Sequence, residues 1–180
     1  MQGLIFKKAI FFYSLFVVFS CRAQVEPPII MPGVAPIYSS ELNVIGINAR
    51  VYYAMNHHLC FGPEVSYFTK NKGEEGKLSL FEANVNLHYI LEIGKSFGVY
   101  PLGGFNYTIE TETLNYNNLP EEHTESEFGI NTGGGFHYAK GRFLLFSEYK
   151  YVISKLDDHF FTIGVLFNFP LSKKDKKSHF

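Results

Sequence analysis

Polarity along this chain alternates with a period of two. Near its end, Phe161, Ile163, Val165, Phe167 and Phe169 share one parity and are all large and apolar. Thr162, Gly164, Leu166 and Asn168 share the other, and most are small or polar. Successive side chains of a strand point to opposite faces, so this pattern predicts a strand with one greasy and one mixed face. The same alternation recurs upstream. Asn43 to Tyr53 sets Ile45, Ile47, Ala49 and Val51 against Gly46, Asn48 and Arg50. Leu59 to Phe68 sets Phe61, Val65 and Tyr67 against Cys60, Gly62, Glu64 and Ser66. Leu78 to Ile90 sets Phe81, Val85, Leu87 and Tyr89 against Glu82, Asn84, Asn86 and His88. Phe97 to Ile109, Glu127 to Tyr138 and Phe143 to Ile153 repeat it, with Glu148 and Lys150 on the polar face of the last.

Polar connectors separate these stretches: Asn56 to His58, Lys70 to Lys77, Gly94 to Ser96, Ala139 to Arg142, and Asp157 with Asp158. The longest expected loop is Glu110 to Ser126, acidic and without Lys or Arg. Pro101 inside a strand predicts a bulge. Seven strands are clear. An eighth could come only from the Pro-rich segment Val25 to Ser40. There Pro28, Pro32 and Pro36 share one parity, so their missing N–H groups would all face one neighbour. Pro27 to Tyr38 therefore reads either as a degenerate first strand or as a periplasmic linker.

Beyond the N-terminus no run of 18 apolar residues occurs, so a membrane protein built from this chain crosses with strands closed into a barrel. The expected fold is all-β: an antiparallel up-and-down transmembrane β-barrel of about eight strands. The connectors run short, then longer, as do the periplasmic turns and outer loops of such barrels. Lys7 and Lys8, the apolar run Ala9 to Phe19, and Cys21-Arg22-Ala23 read as a signal peptide cut after Ala23. A lipoprotein reading, with Cys21 lipidated, is the alternative. The expected organisation is 1–23 signal peptide, 24–41 Pro-rich segment, 42–170 barrel and 171–180 Lys-rich tail. Cys60 is then the sole cysteine, and no disulfide within the chain is available.

Of 16 basic residues, Lys7, Lys8 and Arg22 lie in the signal; 13 remain against 17 acidic, a net charge of −4. That balance excludes nucleic acid as a partner, which needs a basic face. The polar parity places Arg50, Glu64, Glu82, His88, Glu148 and Lys150 in the lumen. Buried charges require partners, so these residues are expected to form an ion-pair and hydrogen-bond network. Tyr53, Tyr67, Tyr89, Phe97, Tyr107, Tyr138 and Phe143 suit interfacial girdles. No Gly-x-Ser-x-Gly, His-Glu-x-x-His or Cys-x-x-Cys occurs, and the histidines are scattered. No catalytic residue, cofactor or metal site is expected.

From Val44 to Phe169 the chain resembles the small outer-membrane β-barrel proteins of Gram-negative bacteria, of the porin-like, outer-membrane-protein-A type. The stretches carrying the likeness are Phe81 to Tyr89, Gly98 to Gly104, Phe128 to Gly135 and the last strand. Thr162, Gly164, Phe167 and Phe169 resemble the C-terminal signal by which such barrels are handed to the barrel-assembly machinery. The resemblance implies a monomeric, non-enzymatic barrel in outer-membrane lipid, serving as scaffold, surface-interaction protein or narrow or plugged pore. Two other readings stay open here: a soluble or lipid-anchored periplasmic barrel binding an apolar ligand, and an outer-membrane lipid hydrolase.

Overall fold

The computed structural model describes residues 28–73, 76–116 and 119–171. The signal peptide, Cys21, Pro27 and the Lys-rich tail lie outside the described residues. Ten strands follow in chain order: β1 (Ile29–Ser39), β2 (Val44–Ala54), β3 (Leu59–Asn71), β4 (Gly76–Tyr89), β5 (Leu91–Ile93), β6 (Phe97–Tyr116), β7 (Leu119–Lys140), β8 (Phe143–Ile153), β9 (Asp158–Phe167) and β10 (Phe169–Pro170). They form one antiparallel sheet that closes where β1 meets β9. Because β5 continues β4 alongside β6, and β10 continues β9 alongside β1, the barrel has eight staves. β1, β2 and β8 have 11 residues each and β9 has 10, the roughly 9–11 that cross a hydrocarbon core at a tilt.

The alternation sets the two faces. Outward residues include Phe128, Phe105 and Ile45, at 79%, 74% and 73% exposure, whereas inward Asn48 and Glu82 are at 0%. Every free-standing apolar side chain on the outer wall would be a liability in water and is at home in lipid. Aromatic pairs lie toward both rims: Tyr53 on Phe61 and Phe143 on Phe167 at one end, Tyr107 on Phe128 and Tyr149 on Phe161 at the other.

The Pro-rich segment is β1. Its ladder to β2 is unbroken from Ile29 to Ser39. On the other side, pairing is absent at Met31–Pro32 and at Ala35–Pro36, then resumes in the same register. The prolines put their missing N–H groups on the closing seam and leave the β2 side whole.

Two expectations are corrected. Pro101 makes no bulge: β6 pairs continuously with β7 through Pro101↔Gly134, and the register to β4 and β5 is the same on both sides of it. Only the bonds on the β4–β5 side lapse, because a missing N–H interrupts one ladder without adding a residue. The acidic stretch Glu110 to Ser126 is not a loop. β6 and β7 run through it as paired strands up to Tyr116↔Leu119. Above the barrel both faces of this hairpin meet water, so the apolar–polar alternation that marks a strand is silent there.

Turns are set by side chains that mimic backbone. Asn56 Oδ1 accepts from His58 N and Leu59 N, both at 2.8 Å, between β2 and β3. Gly141, at φ 63°, supplies the left-handed conformation for the β7–β8 turn. At the opposite rim, Asp158 Oδ1 accepts from Ser40 N at 3.1 Å and Glu41 N at 3.0 Å, and its Oδ2 accepts from Ser39 Oγ. One carboxylate thus holds the β1–β2 turn against the start of β9.

Candidate functional site

The lumen has three layers. The middle one contains all six residues assigned to it from sequence. Arg50 on β2 donates from Nη1 to Glu148 Oε1 at 3.0 Å, and its Nη2 lies 3.1 Å from Glu64 Oε2 as an ion pair. Its Nε donates to Asn48 Oδ1 at 2.7 Å. Lys150 Nζ lies 2.9 Å from Glu64 Oε1 and 3.5 Å from Glu82 Oε2. His88 Nε2 lies 3.6 Å from Glu148 Oε2 and its ring stacks on Tyr100. The cluster draws on β2, β3, β4, β6 and β8, so it ties the barrel together across its diameter.

Several uncharged residues complete it. Tyr52 Oη donates to Glu64 Oε2 and Tyr100 Oη to Glu148 Oε2, each at 3.1 Å. Asn106 Nδ2 donates to Glu82 Oε1 at 2.9 Å, and Asn131 Nδ2 to Asn84 and Asn86. A search for charge on the inner face misses them. The signal that could have found them is parity: each lies an even number of positions from a lumen residue on its own strand or opposite one on the paired strand. Gly135 makes the space for Tyr100, since a Cβ there would sit 2.7 Å from its hydroxyl.

Above and below, the lumen is greasy, which the polar parity did not anticipate. Toward the rim that carries the long hairpin, Ile37, Leu42, Phe68, Leu78, Leu80, Val152 and Phe160 pack together. Toward the rim where β1 begins and β9 ends, Met31, Ala54, Ile90, Leu144, Phe146 and Leu166 do the same, with Cys60 buried among them. The cations bridge layer to layer. The Arg50 guanidinium lies 4.5 Å from the centre of the Phe146 ring, and Lys150 Nζ 5.1 Å from that of Phe160. The space left beneath Arg50 and His88 is about 30 Å³, room for one or two waters.

Outside the barrel, the β6–β7 hairpin carries Glu110 opposite Glu125 and Glu112 opposite His123. Lys72 pairs with Glu112, and Lys155 Nζ lies 3.0 Å from Glu127 Oε1. The Glu110 carboxyl is raised above its ordinary value, first by partial burial, then by Glu112 and Glu125. On β9, Thr162 points inward and is buried, whereas Phe167, like Phe169 on β10, points outward and is exposed; Gly164 faces Ala35 and Phe146.

Residues 34–169 match the family described as outer membrane protein beta-barrel domain. The chain belongs to that family. Its place is the outer membrane, with lipid against the apolar wall. Among curated proteins, none matches the chain. Solved structures of the same fold include a major outer membrane protein from Thermus thermophilus, at 11% identity and TM-score 0.66, covering 80% of this chain and 100% of that one. The N-terminal β-barrel domain of Pseudomonas aeruginosa OprF matches at 12% identity and TM-score 0.62, covering 79% and 98%. Ail, the attachment invasion locus protein of Yersinia pestis, in complex with the heparin analogue sucrose octasulfate, matches at 12% and 0.56, covering 79% and 97%. This family member is thus a closed outer-membrane barrel.

Proposed function

We propose that this protein is a non-enzymatic, sealed barrel that anchors a surface hairpin for interaction outside the cell. The observation that carries this is the sandwich in the lumen: an ion-pair layer capped on both sides by apolar side chains. An ion crossing it would shed its water twice in dry layers, and would displace cations already held by carboxylates. The lumen network of Arg50, Glu64, Glu82, His88, Glu148 and Lys150 is then a brace. Thr162, Gly164, Phe167 and Phe169 serve as the assembly signal, read by the barrel-assembly machinery before the strand is enclosed. The protein is exported by its signal peptide and works as a monomer. The heparin analogue named with Ail is a polyanion; the acidic hairpin here suits a partner of the opposite sign.

Two measurements test this reading. In planar bilayers the folded protein gives no stepwise conductance, and regular steps of one size would sink the seal. A Glu122→Cys variant on intact cells reacts with a membrane-impermeant maleimide while wild type, with Cys60 buried, does not. Failure to label would remove the hairpin from the surface.

A further inference from the structure

β7 outruns its neighbour. Its pairing with β8 begins at Ile130↔Ile153, yet β7 starts at Leu119 and pairs with β6 throughout. Among the described residues, no strand pairs with β7 before Ile130 on the β8 side. The direction of each backbone group follows from one bond. Ala139 donates its N–H to Ser96 O, on the β6 side, at 2.7 Å. The β6–β7 register is constant, so odd-numbered residues of β7 turn toward β6 and even-numbered ones away. Glu122, Thr124 and Ser126 therefore direct N–H and C=O outward along an unpaired edge.

Such an edge is a template for another strand. Proteins guard theirs with Lys, Pro or brevity, and the opposite edge of this protruding sheet obeys that rule. β3 passes its last β2 pair, Ile47↔Tyr67, by only Phe68 to Asn71, with Lys70 among them. The β7 edge is longer; Pro120 guards only its tip, and from Glu121 on its charges are acids. Glu121, Glu125 and Glu127 line one face and Glu122 the other, all exposed except the half-buried Glu127. A second copy of this edge would set acid beside acid, which disfavours self-pairing. An extended segment with basic residues at alternate positions meets complementary charge along the same row.

Resting on the surface-interaction reading above, we infer that the β7 edge from Glu121 to Ser126 binds an extended, basic polypeptide segment by adding it as a strand. Main-chain bonds to Glu122, Thr124 and Ser126 supply the attachment, and the glutamates select the sign of the partner.

The test uses the full mature chain folded in detergent micelles and a fluorescent peptide alternating Lys and Val. Three comparisons decide it. Thr124→Pro removes an outward N–H that the barrel does not use, so the fold persists and all acids stay. A peptide N-methylated at alternate residues keeps its charge but loses its edge bonds, and it needs no variant. A Thr–Val peptide keeps the strand but lacks charge. The inference requires saturable binding of the Lys–Val peptide, weakened about tenfold or more by Thr124→Pro, by N-methylation and by removal of charge. Equal binding of the N-methylated peptide reduces the contact to charge alone and overturns strand addition, as does equal binding to folded Thr124→Pro. No binding to a chain whose Glu122→Cys variant labels on cells overturns this inference and leaves surface display standing.

Discussion

Arg50 touches three acceptors on three residues, and none of them has another arginine to turn to among the described residues. Arg50→Ala leaves Glu64 buried with Lys150, and Glu148 buried with His88 at 3.6 Å. Removing one partner of a buried pair costs about 3–5 kcal/mol, so urea unfolding in micelles should show a loss of that order. Lys155→Ala makes a useful contrast. Its ion pair with Glu127 is similarly short, but the lysine side chain is 85% exposed, and such pairs contribute under about 1 kcal/mol. Glu110 gives a pH-dependent case. Its folded carboxyl is raised, so the folded state holds that proton more tightly than the unfolded one. The ionised group therefore destabilises the fold at neutral pH, and the penalty fades as pH falls through the raised value toward the ordinary carboxylate range. Glu110→Gln should raise the melting temperature at pH 7, and the gain should vanish near about pH 4. A gain that grows on acidification would reverse the sign argued here.

At the scale of the strand, the wall is decided by what faces lipid. Ile163 on β9 is 68% exposed on the apolar side. Ile163→Arg puts a charge there, and on barrel walls that costs about 2–4 kcal/mol at midplane. Thr162→Ser, its inward neighbour, should change little by comparison. A smaller loss for Ile163→Arg than for Thr162→Ser would mean that the faces are reversed. The outer faces of seven strands were legible from sequence because burial in lipid and exposure to the lumen alternate without interruption. The hairpin was not, because its upper half has water on both sides and Thr111, Thr113, Thr124 and Glu122 carry no apolar rhythm. β1 was only half legible. Its prolines argued against a strand, and what rescues it is that their absent donors fall on one side.

For the whole molecule, the charged layer was readable and the greasy layers were not. Arg50, Glu64, Glu82, His88, Glu148 and Lys150 stand out because charge on an enclosed face demands a partner. Phe68, Phe146, Val152 and Phe160 share that parity but read as breaks in the pattern, since an apolar side chain looks at home on the lipid face. Only the closed sheet shows that strands converge on two inner clusters at different heights. Rhythm along the chain therefore carries fold and location, whereas the plug depends on which residues of different strands share a height.

The seam at β1 also dictates an order of events. Its partner residues are Phe160 to Leu166, synthesised long after it, so β1 must wait for them with one flank unsatisfied. The flank that waits is the one bearing Pro32 and Pro36. A strand poor in donors on its idle side is a weak lure for premature suitors, whether another nascent chain or a wrong segment of its own. The same gaps that loosen the finished closure keep the first stave available until the last one arrives.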